Sequence, residues 1–326
     1  MSIFKSCDIR GRYGDALTPA VARRLGQAVG AHVGATAVLV AGDVRPSTIP
    51  LKSALMDGLV TAGCRVVDLG IVPTPAFYFA RDHLGITPAV MVTGSHNPPG
   101  DNGFKVNPGP WPITEPEIAR LQAWMESGET ITRPGGLCDK SDILPAYEAD
   151  LGKRFQPLLN QPGLRLPKVL VDAGNGCYSH VAPRVMRTLG LEVVPLFCEP
   201  DGRFPNRHPN PAVAAHLSKA SEMVQRHGAD LGVAFDGDGD RAVFIDNVGR
   251  VVESDRSIVL FTRHLLSERR GEVVYDLKCS SVVAEEVERA GGTPVMEKSG
   301  HTFIKTTLLR RKAMLGGEIS GHFFFW

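Results

Sequence analysis

Three short stretches of this sequence gather side chains that can do chemistry. In Asp236-Gly237-Asp238-Gly239-Asp240-Arg241, three carboxylates alternate with glycine on a tight backbone. Hard oxygen ligands this close together suit Mg²⁺, which takes a few carboxylates plus a substrate phosphate oxygen. An EF-hand does not fit, because Arg241 stands where its sixth-position Gly belongs and Asn247 where its twelfth-position Glu belongs. The competing reading is an acidic turn between strands, in which three unpaired carboxylates would crowd one another without a cation. In Thr93-Gly94-Ser95-His96-Asn97-Pro98-Pro99-Gly100, an apolar run at 89–92 delivers Ser95 to a loop shaped by Pro and Gly. Such a serine can be a nucleophile, an N-cap or a surface residue. The G-x-S-x-G elbow of hydrolases is absent, since Thr93 and Asn97 hold its glycine positions, and acyl transfer loses support. In Gly317-Glu318-Ile319-Ser320-Gly321-His322, Glu, Ser and His at alternate positions share one face of an extended segment. That face can bind sugar hydroxyls or be the ordinary polar side of a strand.

A fourth stretch, Gly174-Asn175-Gly176, nearly matches the dinucleotide fingerprint, with Glu199 near the end of the next strand. It lacks the last glycine, and a tight strand–helix turn explains it better.

Loops of this kind need rigid elements beneath them, and one unit recurs three times. An apolar run at 37–41 leads through a loop at 42–47 to a helix over 51–61, then Gly63 and a second run at 64–69. The second copy has a run at 168–172, a loop at 173–176, a helix to Leu189, Gly190 and a run at 191–197. The third has a run at 272–276, a loop at 277–280, a helix to Ala290, Gly291-Gly292 and a run at 293–296. Continuous β-branched runs predict buried strands, and the glycines predict helix C-caps. The fold class expected is α/β: tandem repeated domains with mixed, mostly parallel sheets around a shared central cleft. The loops at 43–47, 173–176 and 278–281 should face that cleft, beyond the carboxyl ends of the strands. Linkers are expected at 133–136, with a polar continuation to 142, and at the turn near 247–249.

Composition agrees with this picture. The chain has 326 residues, 43% hydrophobic and 22% charged, enough for two or three domains. Lys+Arg number 36 against Asp+Glu 35, so the net charge is +1. That argues against nucleic acid or an anionic membrane as partner, but not against small anionic ligands. The N-terminus is no secretory signal, and no apolar stretch approaches the roughly 20 residues of a spanning helix. The six cysteines are dispersed without a C-x-x-C pair, the pattern of reduced thiols in a cytoplasmic protein. The Phe323-Phe324-Phe325-Trp326 run reads as part of a strand.

Together these residues resemble the α-D-phosphohexomutase family, most closely its bacterial phosphomannomutase/phosphoglucomutase members. The resemblance covers essentially the whole chain, in order. Residues 4–11 are similar to the family's opening signature, 93–105 to its phosphoserine loop, 236–241 to its metal loop and 317–322 to its sugar-specificity loop. It implies interconversion of hexose 1-phosphate and hexose 6-phosphate, of mannose or glucose, through a phosphorylated Ser95 and a bound 1,6-bisphosphate. It implies Mg²⁺ held by Ser95, Asp236, Asp238 and Asp240, with Arg241 offsetting charge and Lys105 and His96 in acid/base or charge-stabilising roles. Glu318 and Ser320 would hold sugar hydroxyls, with Arg10, Lys278, His301 and His322 as further contacts.

The chain departs from the family pattern at Cys7, commonly Tyr, and at Ala41-Gly42-Asp43-Val44-Arg45, commonly Gly-Arg-Asp-x-Arg. The family pattern divides the chain at 1–145, 146–250 and 251–326. The third domain is expected to be incomplete, and the fourth, which clamps the non-reacting phosphate, to be missing. The competing functions are a phosphoglucosamine mutase, a non-catalytic binder of Mg²⁺ and sugar phosphate, and a dinucleotide-dependent oxidoreductase using Gly174 and Gly176.

Overall fold

A computed structural model describes residues 2–6 and 8–326; Cys7 lies outside the described residues. The chain builds three sheets in succession. The first unit runs β1 (Ile9–Arg12), α1 (Pro19–Val33), β2 (Ala37–Gly42), α2 (Thr48–Thr61), β3 (Arg65–Ile71), α3 (Thr74–His83), β4 (Ala89–Val92), β5 (Asp101–Asn107), α4 (Glu115–Glu126) and β6 (Leu137–Lys140), and α5 (Leu144–Leu159) leads on to the second. The second runs β7 (Lys168–Asp172), α6 (Val181–Thr188), β8 (Glu192–Leu196), α7 (Ser218–His227), β9 (Leu231–Phe235), β10 (Ala242–Asp246) and β11 (Val251–Val252). The third runs α8 (Ser254–Glu268), β12 (Glu272–Asp276), α9 (Val282–Arg289), β13 (Thr293–Glu297), α10 (His301–Arg311), β14 (Leu315–Gly317) and β15 (Phe323–Phe325).

The repeat is larger than the sequence pattern shows. Each sheet contains the same four-strand order, β5-β4-β2-β3, β10-β9-β7-β8 and β15-β14-β12-β13. Within each, the middle pairings are parallel and the first is antiparallel. The expected strand–helix–strand units are therefore the parallel pairs β2/β3, β7/β8 and β12/β13. Gly63, Gly190 and Gly291 all take φ near +80° to +90° after their helices, the left-handed stop that glycine adopts without a Cβ penalty.

The linker expectations need correction. Leu137–Lys140 is a strand, the edge partner of β3, hydrogen-bonded in parallel register from Arg65 with Leu137 to Asp68 with Lys140. Residues 247–249 turn the hairpin between β10 and β11 inside the second sheet, so the connection to the third unit comes after β11.

Burial explains the layering. The central runs of β2, β4 and β7 are buried on both faces, as parallel strands covered by helices must be. One core cluster lies under α1 and α2. A second crosses from the first unit to the second, joining Leu39, Phe77, Ala80 and Met91 to Val169, Val171, Tyr178 and Val233. Tyr147 and Tyr178 complete it with a hydroxyl–hydroxyl hydrogen bond of 2.9 Å. The third unit's two clusters draw, among the described residues, on 258–324 alone. No helix among the described residues is long and apolar enough to cross a membrane.

Candidate active site

All three chemical motifs occupy one topological position: the turn where a sheet passes from parallel to antiparallel pairing. Ser95 lies between β4 and β5, Asp236 to Arg241 between β9 and β10, and Glu318 to His322 between β14 and β15. Each turn therefore leaves the carboxyl end of a parallel strand, where α/β sheets bind ligands.

The serine and aspartate turns meet. Ser95 Oγ donates a 2.8 Å hydrogen bond to Asp236 Oδ2, and both groups are fully buried. The Arg241 backbone N–H donates to the other oxygen of Asp236 at 3.1 Å. Lys105, on β5, reaches across with Nζ 2.7 Å from Asp238 Oδ2 and 2.5 Å from Asp240 Oδ2. Thr74, at the start of α3, donates its hydroxyl to Asp238 Oδ2 at 2.8 Å and its N–H to the Asp238 carbonyl at 2.8 Å. Oxygens of Asp236, Asp238 and Asp240 lie within 4.8 Å of one another. Asp238 Oδ1 is buried with no hydrogen-bond partner. An orphaned carboxylate oxygen beside two more carboxylates is the donor set a small hard divalent cation requires.

The electrostatics follow from burial and mutual proximity. Burial, and then Asp238 and Asp240, push Asp236 up to about 7. Burial also opposes charge on Asp238 and Asp240, but Lys105 holds both below the usual carboxylate range. The same two carboxylates outweigh the burial of Lys105 and keep it firmly protonated. His96 has Nδ1 3.3 Å from Ser95 Oγ, and burial, then Arg241 and Arg10, lower it to about 3. It is therefore a neutral imidazole beside the serine.

The third turn closes on the same cluster. His322 Nε2 lies 3.1 Å from Asp240 Oδ1, and its Nδ1 lies 2.6 Å from Glu318 Oε2. Each ring nitrogen of this imidazole faces a carboxylate oxygen, and Asp240 and Glu318 raise its pKa against the effect of burial. Ser320 donates to Glu318 Oε2 at 2.9 Å, and the Gly300 N–H donates to Oε1 at 2.8 Å. His301, at the start of α10, has its ring 5.7 Å from that of His322; burial, Lys105 and His322 lower it to about 3.

Arg10 joins the serine turn, donating to Asn97 Oδ1 at 3.0 Å while paired with Asp8. Lys278 stands apart from the cluster: its side chain is exposed and its N–H caps Asp276. The Gly174-Asn175-Gly176 turn is packed shut. A Cβ on Gly174 would meet the Arg207 guanidinium carbon at 2.6 Å, the space a pyrophosphate would need.

Several supporting residues lie outside the candidate site residues read from the sequence. Arg45, buried, donates to the carbonyls of Ser95, Asn97, Pro98 and Asp101 and pairs with Asp43. Asp43 also accepts from the Thr93 hydroxyl and the Gly94 N–H. In the second unit Arg207 pairs with Asp172 at 2.8 Å and donates to the Phe235 carbonyl, one residue before Asp236. In the third, Asp276 accepts from the Ser299 hydroxyl and the Ile319 N–H. The available signal was positional: Asp172 and Asp276 end their strands, and Asp43 directly follows β2.

The comparisons with known proteins match this architecture unit by unit. Family models described as phosphoglucomutase/phosphomannomutase alpha/beta/alpha domains I, II and III match residues 1–131, 149–249 and 253–326. The phosphomannomutase/phosphoglucomutase of Pseudomonas aeruginosa is 40% identical over 99% of this chain and 69% of its own length. The chain belongs to the phosphoglucomutase/phosphomannomutase family. Within the family, a phosphoglucomutase of Neisseria gonorrhoeae is 36% identical over 99% of this chain and 70% of the relative. The crystal structure of a phosphoglucomutase/phosphomannomutase family protein from Burkholderia thailandensis superposes with a TM-score of 0.90 at 38% identity, covering 99% of this chain and 72% of that one.

Proposed function

We propose that this chain is a phosphohexomutase that moves a phosphoryl group between the 1- and 6-hydroxyls of mannose or glucose, through a phosphorylated Ser95 and a bound 1,6-bisphosphate. The observation that carries the reading is the 2.8 Å hydrogen bond from Ser95 Oγ to Asp236, which sets a nucleophile against a cation-binding carboxylate cluster. In the first half-reaction the bond from Ser95 Oγ to phosphorus breaks and a bond from the free sugar hydroxyl forms. In the second, the bisphosphate presents its other end and returns that phosphate to Ser95.

Such transfers depend mainly on positioning and on offsetting negative charge. Lys105 and Arg241 supply fixed positive charge beside the serine. His96, neutral and 3.3 Å from Ser95 Oγ, and Asp236, which accepts the Ser95 hydroxyl at 2.8 Å, are the two groups within reach of the proton exchanged between serine and sugar. Mg²⁺, held by Asp236, Asp238, Asp240 and the Ser95 oxygen, would supply charge neutralisation on the transferring group. Glu318 and Ser320 offer an acceptor and a hydroxyl side by side, a pair able to hold sugar hydroxyls of either orientation. Arg10, His301 and His322 serve as further substrate contacts in this reading; Lys278, exposed and apart from the cluster, has no such geometry. The reaction belongs in the cytoplasm, and the five described cysteines are free thiols.

A coupled assay with mannose 1-phosphate and glucose 1-phosphate, in Mg²⁺ and trace 1,6-bisphosphate, tests this. Turnover of at least one is expected. Turnover of neither, with glucosamine phosphate accepted, overturns the substrate assignment.

A further inference from the structure

The loop at 199–211 has no place in the chemistry above, yet it packs against the aspartate turn and against Arg45, which holds the serine turn. Phe204 is buried, and its φ of +50° lies in the left-handed region that non-glycine residues rarely adopt. The turn that carries it is pinned at several points. The Phe204 N–H donates to the Asp201 carbonyl, and the Asp201 N–H donates to the Asn175 carbonyl, both at 2.9 Å. Asn206 donates to Asn175 Oδ1 at 3.0 Å. Gly202 presses on the first unit, where a Cβ would stand 2.4 Å from Arg45 Cα.

The Phe204 ring faces two ways. Its centroid lies 5.0 Å from the Arg45 guanidinium carbon, the group that holds four carbonyls of the serine turn. Gly94 covers the same guanidinium closely, with a would-be Cβ 2.6 Å from its carbon. Phe204 also touches the aspartate turn: a Cβ on Gly237 would meet Phe204 Cζ at 3.1 Å and the Ser95 carbonyl at 2.5 Å.

We infer that Phe204 is a positioning residue for phosphoryl transfer: its ring holds Arg45, and through it the serine turn, at a fixed distance from the aspartate turn. A planar guanidinium held over an aromatic ring loses little freedom when it binds carbonyls, so the turn is set before substrate arrives. Truncating the ring leaves Arg45 bonded but free to shift toward the vacated space. Displacement on the order of 1 Å at a reacting group lowers rate about 100-fold without altering contacts to the rest of the substrate.

The inference rests on the mutase reading, and the test separates the two. Wild type, F204A and F204Y are compared by steady-state kinetics with sugar 1-phosphate and by hydrogen exchange without substrate or metal. F204A is expected to lower kcat about 10- to 100-fold with KM nearly unchanged, and F204Y to restore most of it. Amides of Gly94 and Ser95 are expected to exchange faster in F204A while those of Val273 to Tyr275 keep the wild-type rate. A F204A enzyme with wild-type kcat and wild-type exchange at 94–95 overturns the inference. So does a uniform rise in exchange across all three sheets with no kinetic difference between F204A and F204Y. If F204A does not fold, F204L replaces it, with the same kinetic and exchange outcomes deciding. If wild type turns over no hexose phosphate, the mutase reading fails, and the exchange result at Gly94 and Ser95 still decides whether Phe204 holds the turn.

Discussion

The serine and aspartate turns and the turn at 318–322 occupy equivalent places in their sheets, but they are held differently. Arg45 and Arg207, both buried, fix the first two by donating to backbone carbonyls, and each is paired with an Asp at or just past a strand end. The third has Asp276 in the matching place without an arginine, and its hold comes from Glu318, Ser320 and His322. A guanidinium stays charged at every accessible pH and fixes geometry; a carboxylate and an imidazole can exchange partners with an incoming hydroxyl. The groups proposed to transfer phosphoryl thus sit on locked turns, and the groups proposed to meet the sugar sit on an exchangeable one.

The seams repeat the contrast. A continuous apolar core and the backbone bond from Thr74 to Asp238 join the first and second units. The first and third meet through side chains, with Lys305 Nζ 3.5 Å from the centre of the Tyr78 ring and Lys298 4.0 Å from Glu115.

The largest effect should come from the locked side. S95A is expected to lose at least about 10³-fold in turnover, because the phosphoryl carrier is gone; full retention in the coupled assay would remove Ser95 from the mechanism. D238N should weaken divalent-cation binding, read by calorimetry, by at least the roughly 10- to 100-fold that loss of an outer-shell partner costs. R45K keeps a charge but loses the planar fork for four carbonyls, and should lower stability by about 2–3 kcal/mol. E318Q should cost less in the same thermal melt. If R45K melts no earlier than E318Q, the distinction between locked and exchangeable turns is wrong.

The smallest effect belongs to the looser seam. Burial, and then Arg81, lower Lys305 to about 7 from the ordinary 10.5. Between those values the unfolded chain binds the proton that the folded one has shed, so this group makes stability rise with pH from about 7 upward. K305M should flatten that rise in melting temperature between pH 7 and 9; an unchanged slope would show that Lys305 stays charged at the seam.

Much of this was legible in the sequence because it is local. The runs at 168–172 and 272–276 end as strands at the same residues, and the aspartate turn sits between the two runs that flank it. What escaped is long-range or weakly patterned. Leu137-Cys138-Asp139-Lys140 has no β-branched residue and is mostly exposed, so nothing but its pairing with β3 makes it a strand. The clamp of Arg45 spans more than fifty positions to the carbonyls of Asn97 and Asp101, and carbonyls carry no side-chain signature. The four-strand repeat was half visible, because β14 is three residues long and two of them are glycine.

Ser95 itself takes φ of +49°. That conformation costs a non-glycine residue on the order of 1–3 kcal/mol, and asparagine or glycine would relieve it. The backbone here disfavours the residue it carries, so stability is surrendered locally where the hydroxyl meets Asp236. An S95N protein should be inert and melt higher than S95A, a direct reading of how far activity and robustness pull apart at one residue.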